Sequence, residues 1–403
     1  MLKTLLILST LLFIDLNNKV DDNVIIKTIN STTNNKAVIK LDNSDSIESI
    51  RNINASIEPS SWKGVNLPLR IDNSGQKNLS QSDFDFAAAA GANIVRLAVH
   101  ADPDENRHSI FFNDNGNVLP ANESPGINEL KRAVNMAKKS NLQVIIDMHT
   151  LPGTVKAKVW QDEALWGNIT TLWTTIAQTF KDDPTVTGFD LMNEPTLVKS
   201  LVQNADIQRQ MLQGKWAVPK EWVGTAKDYK TQIANLIKAI QQVDKSKYII
   251  VEGFGIYGNP INFNWMPYFG GLDNIVYSFH MYVPTQLTGL KLNNPKNTID
   301  KIAFKPQRDI GKIDKALEPV IAFQKKYNVP IYVGEFGVTD DALTSGLNGG
   351  CWLATIIDKM QQNKWGWTYW DFFGERKPKS TDDPRFKILG AAMKGQPLPD
   401  YCK

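Results

Sequence analysis

VTGFDLMNEP, residues 186–195, is the stretch on which the reading of this chain turns. Val186, Phe189, Leu191 and Met192 suit a buried strand, yet the run closes on Asn193, Glu194 and Pro195. Polar residues and proline end strands well, so this ending alone says little. It gains meaning if other strands end the same way, and if one of them brings a second carboxylate.

Other strands do. From Trp62 onward, strand-like and helix-like segments alternate to the end of the chain. The strand-like runs are WKGVNLPL, NIVRLAVH, LQVIIDMHT, VTGFDLMNEP, YIIVEGFGI, NIVYSFHMYVP, VPIYVGEFGV and WGWTYWDFF. Amphipathic stretches such as INELKRAVNMAKKS, KDYKTQIANLIKAIQQVD and IDKALEPVIAFQKKYN lie between several of them. Eight strands with crossover segments are the parts of an α/β fold, a single (β/α)8 TIM barrel. A doubly wound sheet is the weaker reading, since no G-x-G-x-x-G follows the first strand.

Barrel enzymes carry their chemistry at the C-terminal ends of the strands. Here those ends hold Arg96 and His100, then His149, then Asn193 and Glu194. Later ends bring His280 and Tyr282, then Glu335, then Trp370 and Asp371. Glu335 is the second carboxylate. It interrupts VPIYVGEFGV, residues 329–338, where a buried charge is costly unless it is paired or has work to do. Either glutamate alone could be a structural ion-pair partner, of Arg96 for example. Two at one mouth are the minimum equipment for cleaving a glycosidic bond, one protonated and one ionised.

From WKGVNLP to WTYWDFF, roughly residues 60–373, the chain resembles glycoside hydrolase family 5, the cellulase family of retaining (β/α)8 glycosidases. The resemblance rests on the Arg of NIVRLAVH, the His of DMHTLPG, the NEP triplet, the H-x-Y of SFHMYVP, the Glu of GEFG and the Trp of TYW. It implies catalytic roles for Glu194 as acid/base and Glu335 as nucleophile. It also implies substrate-binding or tuning roles for Arg96, His149, Asn193, His280, Tyr282 and Trp370. Asn193 would bond the sugar 2-hydroxyl, Arg96 and Tyr282 would hold Glu335 ionised, and Trp370 would lie under the sugar ring. His100 and Asp371 match no family role and are read as structural.

The implied substrate is a β-linked polysaccharide or oligosaccharide, with β-1,4-glucan first by analogy with the family's commonest activity. Mannan, β-1,3-glucan, a transglycosylase and a non-catalytic carbohydrate-binding relative stay open. Three long segments should shape specificity: one brings Trp216 and Trp222 near the mouth, one brings Tyr257, Trp265 and Tyr268, and a third, polar and flexible, follows the sixth strand.

Composition excludes other classes. The 403 residues are 42% hydrophobic and 22% charged, as in an ordinary globular protein, and a net charge of +3 offers nucleic acid no basic face. With four histidines, no H-E-x-x-H and no cysteine pair at ligand spacing, no metal or other cofactor is expected. Residues 1–18, with an apolar run from Leu5 to Ile14, are too short to span a bilayer and fit a signal peptide, although no small-x-small cleavage site follows. Residues 19–57 are polar and aperiodic, a disordered linker or stalk with room for a short strand, and 58–403 form the catalytic domain. The expected product is a secreted monomer. Cys351 and Cys402 would suit one disulfide or two free thiols. Sequons begin at Asn30, Asn54, Asn78, Asn122 and Asn168.

Overall fold

The structure, a computed structural model, describes residues 57–70, 79–100, 110–113, 117–151, 159–196, 205–289, 302–343, 346–373 and 376–402, with the backbone of 26–30 and 36–40. The chain divides into two units, Met1–Ala55 and Ser56–Lys403. In the first, β1 (Ile26–Asn30) and β2 (Lys36–Lys40) pair antiparallel, Ile26 opposite Lys40. The expected leader at 1–18, the rest of the expected stalk up to residue 56, and the sequons at Asn54 and Asn78 lie outside the described residues.

The second unit is a closed barrel of eight parallel strands. They are β3 (Lys63–Arg70), β4 (Ile94–His100), β5 (Gln143–Thr150), β6 (Val186–Asp190), β7 (Tyr248–Glu252), β8 (Ile275–Met281), β9 (Ile331–Phe336) and β10 (Gly366–Tyr369). Each pairs with its neighbour in chain order, and β10 returns to β3. The crossovers are helical, with α-helices except between β7 and β8, where a short 3-10 helix (Pro260–Asn264) takes that place, so the (β/α)8 reading holds. In order the helices are α1 (Gln81–Ala90), α2 (Pro125–Lys139), α3 (Glu163–Phe180), α4 (Ala205–Leu212), α5 (Tyr229–Val243), α6 (Thr285–Thr288), α7 (Pro306–Tyr327), α8 (Gly349–Gln362) and α9 (Pro384–Met393).

The helix limits follow local chemistry. In α2, Ser124 caps the first turn by accepting from the Ile127 N–H at 3.2 Å, Pro125 occupies the first turn, and Lys138 and Lys139 face the dipole's negative end. Its buried face, Ile127, Leu130, Ala133, Val134 and Ala137, repeats at the three-and-four spacing of a helix stripe.

Strand alternation separates two environments. Val95, Leu97, Val99, Val144, Ile146, Met148, Ile249, Val251, Tyr277 and Phe279 belong to the large apolar cluster shared with the helices. Ile94, Ile145, Ile250, Val276 and Tyr332 join Trp62 in a separate cluster that fills the base of the barrel. Two residues further along the same strands come Arg96, Asp147, Glu252 and Ser278, all buried. Side chains two apart on a strand share a face, so each inward column passes from apolar at the base to polar near the mouth.

Candidate active site

Arg96 organises the polar layer. Its guanidinium is fully buried. Nε donates to Asp190 Oδ2 at 2.9 Å. Nη1 donates to Asn66 Oδ1 and to Glu335 Oε1, both at 3.1 Å. Nη2 reaches Asn193 Oδ1 at 3.0 Å, Glu252 Oε1 at 3.1 Å and Asp147 Oδ1 at 3.0 Å. One rigid planar fork thus meets carboxylates from four strands, a geometry a lysine could not reproduce.

Glu335 reaches the mouth through a shift of register. Phe279 pairs with Val333, but His280 pairs with Glu335, so Gly334 is an extra residue on β9. Such bulges re-aim side chains beside active sites. A Cβ at Gly334 would crowd Ser278 Oγ at 3.0 Å and His280 Nε2 at 3.1 Å, which explains the glycine in VGEFG. The Tyr282 hydroxyl donates to Glu335 Oε2 at 3.0 Å.

Glu194 follows the end of β6 and retains 23% side-chain exposure. Its φ of 46° lies in the left-handed region, sparsely used by a non-glycine residue. Its N–H donates to Glu252 Oε2 at 2.8 Å, and its Oε1 lies 2.8 Å from His280 Nδ1. His280 is buried, with Nδ1 3.6 Å from Glu335 Oε2 and Nε2 in charge contact with Glu252 Oε1 at 3.1 Å, off the line of a hydrogen bond. His149 Nδ1 lies 2.8 Å from Asp147 Oδ2, and its ring stacks on Trp370 at 4.8 Å, with 10° between the planes.

Five carboxyl groups, Asp147, Asp190, Glu194, Glu252 and Glu335, crowd around Arg96 and His280. Burial pushes Asp190 well above the usual carboxylate range, against the pull of Arg96. Burial also raises Glu335, to about 7; His280 and Arg96 oppose the shift, while Glu194 and Glu252 add to it. The sequence reading expected Arg96 and Tyr282 to hold Glu335 ionised. Both groups do contact Glu335, Arg96 at Oε1 and Tyr282 at Oε2, and they act against the burial that raises it. Glu252 moves the other way, since His280 and Arg96 overcome its burial and lower it. Burial alone would lower His280, but the charges of Glu252 and Glu335 and the bond to Glu194 raise it well above the ordinary imidazole value.

All eight residues singled out in the sequence, Arg96, His149, Asn193, Glu194, His280, Tyr282, Glu335 and Trp370, are tied into this contact network. Trp365 and Trp367 fill the core, leaving Trp370 beside His149. His100 also approaches His149, with ring centroids 4.8 Å apart. Glu194, His280 and Glu335 could each offer one ligand atom to a metal ion. Their contacts suit proton chemistry, because Glu335 accepts from Arg96 and Tyr282. Asn66, Asp147, Asp190 and Glu252 were missed in the sequence. The signal that marked Glu335, a polar group inside an apolar strand, was present in VIIDM, TGFDL and IIVEG as well.

The loop aromatics depart from expectation. Trp216 and Trp222 are buried, packing on each other at 6.0 Å, and Trp216 meets Trp265 edge-on at 5.3 Å. Tyr268 stacks on Tyr327 at the C-terminus of α7, on the side where strands begin. Tyr257 remains at the mouth, 55% exposed, beside Gly258, whose carbonyl accepts the His280 N–H at 2.7 Å. Parts of the long loops, residues 197–204 and 290–301, lie outside the described residues.

A (β/α)8 barrel that gathers two glutamates, a buried arginine and an aromatic floor at its mouth is the framework of a glycoside hydrolase. This chain belongs to the cellulase family, glycosyl hydrolase family 5, whose sequence model matches residues 53–375. It is 22% identical to endoglucanase C of Acetivibrio thermocellus over 327 residues, covering 73% of this chain and 84% of that one. With an endoglucanase of Paenibacillus polymyxa it shares 23% identity over 363 residues, covering 83% and 81%. Its fold is similar to that of endoglucanase Cel5A from Thermotoga maritima, with a TM-score of 0.62, 19% identity, and coverage of 85% of this chain and 98% of that one.

Proposed function

We propose that the protein is a retaining, endo-acting hydrolase of a β-linked glucan, β-1,4-linked first, with Glu335 as nucleophile and Glu194 as acid/base. The observation that carries the mechanism is a spacing: Glu194 and Glu335 present oxygens within 4.8 Å of each other. Retaining enzymes hold their carboxyl groups about 5–5.5 Å apart, whereas inverting ones need roughly 6.5–9.5 Å to admit a water. In the first step a Glu335 oxygen bonds to the anomeric carbon while Glu194 passes its proton to the glycosidic oxygen. The C–O bond breaks, the leaving sugar departs with that proton, and a glycosyl ester remains on Glu335. Glu194, now a carboxylate, takes a proton from water, and the water oxygen displaces Glu335.

The other residues support these steps. Arg96 and Tyr282 stabilise the Glu335 charge as it returns in the second step. Asn193, held by Arg96, offers its amide to the sugar 2-hydroxyl, and His149 and His280 border the cleavage point. Trp370, stacked on His149, presents an aromatic face to the ring.

The glucan preference rests on the endoglucanase relatives. Thermotoga maritima Cel5A has been solved both with cellobiose and with mannotriose, which makes mannan the second candidate. Export fits the apolar run Leu5–Ile14 and the disulfide between Cys351 and Cys402, since disulfides persist in oxidising compartments. On this reading, 1–18 is a leader, 19–57 a stalk, and 58–403 a catalytic domain acting as a monomer. Among the described residues, no helix is long and apolar enough to cross a membrane.

The first test is a panel of carboxymethyl cellulose, barley β-glucan, galactomannan, laminarin and xyloglucan, followed by viscosity and reducing ends together. Rapid viscosity loss on the β-glucans supports the reading, and loss on galactomannan alone moves it to mannan. Proton NMR of the first product should show the β-anomer; an α-anomer would reject the retaining scheme. No change on any member favours a carbohydrate-binding relative.

A further inference from the structure

Glu252 ends β7, fully buried, and matches none of the motifs that carry the family resemblance. Its two oxygens divide their contacts. Oε2 accepts the main-chain N–H of Glu194 at 2.8 Å. Oε1 lies 3.1 Å from both Arg96 Nη2 and His280 Nε2. On the other side of the same imidazole, Nδ1 is 2.8 Å from Glu194 Oε1. One carboxylate therefore touches both the backbone of Glu194 and the ring bonded to its side chain.

We propose that Glu252 is a positioning residue for the proton donor: it holds the left-handed backbone of Glu194 and seats the His280 ring against the Glu194 side chain, so that the acid is fixed in place for proton transfer. The inference rests on the reading of Glu194 as acid/base. The charge contact with Glu252 Oε1 on one side of the ring and the 2.8 Å contact with Glu194 Oε1 on the other fix the orientation of the imidazole. Glu335 Oε2 lies 3.6 Å from the same Nδ1, so the ring stands between the two carboxyl groups of the site. The φ of 46° at Glu194 precedes a proline, which narrows the backbone choices further, and the bond to Glu252 Oε2 offsets part of that cost.

The charged surroundings are consistent with this role. Glu252 faces Arg96 from β4, Asp147 from β5, Asp190 from β6 and His280 from β8, and the Tyr229 hydroxyl from α5 donates to its carbonyl. His280 faces Glu194, Glu252 and Glu335. Gly258 keeps the ring seated from the outside: a Cβ there would lie 2.7 Å from His280 Cγ.

The test compares Glu252→Gln with wild type on aryl β-cellobiosides, or the mannobiosides if the panel favours mannan. Phenol is a poor leaving group that needs the acid, and 2,4-dinitrophenol leaves unaided. General acid catalysis is worth about 10²–10⁴-fold, so the expected fall in kcat/KM is about 100-fold for phenyl and under ~10-fold for dinitrophenyl. Equal losses on both substrates would reduce Glu252 to a structural role, and no loss on either would remove it from the mechanism. If Glu252→Gln fails to fold, Glu252→Asp keeps the charge but withdraws it from the Glu194 N–H, and the same substrate ratio is read. Glu194→Ala separates the two claims. If it shows no leaving-group dependence, the acid/base reading fails; if it does and Glu252→Gln does not, only this inference fails.

Discussion

Arg96 Nη1 and Glu335 Oε1 meet at 3.1 Å across the barrel, from strands three steps apart in the sheet. The same guanidinium contacts Asp147, Asp190 and Glu252. Removing one partner of a buried ionic network leaves charge uncompensated, at about 3–5 kcal/mol. Arg96→Ala should therefore lose stability of that order in urea unfolding, besides losing activity. Arg96→Lys keeps the charge without the fork and should fold with a smaller loss but remain catalytically poor. Wild-type stability in Arg96→Ala would contradict the organising role of this residue.

Glu335 links function to stability with a definite sign. Its folded pKa, about 7, lies above the ordinary value of 4.5. Below pH 4.5 folded and unfolded chains are both protonated there, so the burial costs little. Between 4.5 and 7 the folded chain keeps a proton that the unfolded chain has lost, and stability falls as pH rises through that window. The full effect is roughly 3 kcal/mol at most. Glu335→Gln removes it, so the inactive variant should melt higher than wild type above pH 7, and the gap should close towards pH 4.5. Differential scanning calorimetry across that range reads the outcome directly.

The Tyr282 hydroxyl donates to the ionised form of Glu335. Burial and the neighbouring Glu335 charge raise the phenol's own pKa well above its usual value, so it stays a donor. Tyr282→Phe should push Glu335 higher still and move the acidic limb of kcat/KM to higher pH. Losing one preorganised donor costs about 10²–10³-fold. An unshifted limb would mean that the phenol does not govern this ionisation.

Glu194→Ala should retain the first step on dinitrophenyl glycosides and stall at the glycosyl-enzyme. Added azide should restore turnover and give a β-glycosyl azide. Recovery of an α-azide, or none, would count against Glu194 as the acid/base of a retaining cycle.

Tyr257 is the exposed aromatic beside the carbonyl that holds His280. Ring contacts of this kind are worth about 0.5–1.5 kcal/mol, so Tyr257→Ala should raise KM for the polysaccharide by roughly 2–10-fold. Hydrolysis of short aryl glycosides should change little. An equal effect on both substrates would point to damage at His280 instead.

The barrel and the principal site were legible because both depend on short-range pattern. Continuous apolar runs such as NIVRLAVH and YIIVEGFGI mark strands buried on both faces, and a charge inside such a run marks a buried polar group with a purpose. The same rule applied to Asp147, Asp190 and Glu252, but attention to the mouth passed over the layer beneath it. Other features depend on tertiary placement. Whether Trp216 faces sugar or Trp265 is decided by how two loops meet, and no local period encodes that. The burial of Glu335 is hidden for a related reason: its donors stand out as residues, whereas the completeness of its burial emerges only from the closed barrel.

That closure rests on a short strand. β10 has four residues, with two pairs to β9 and three to β3, where β3 and β4 share seven. A ribosome would therefore release both glutamates, the arginine and most of the barrel wall well before the piece that shuts it. Until residues 366–369 emerge, β3 and β9 stand as open sheet edges able to pair with another chain. Any delay between making Glu335 and making Tyr369 thus leaves those two edges unpaired for longer.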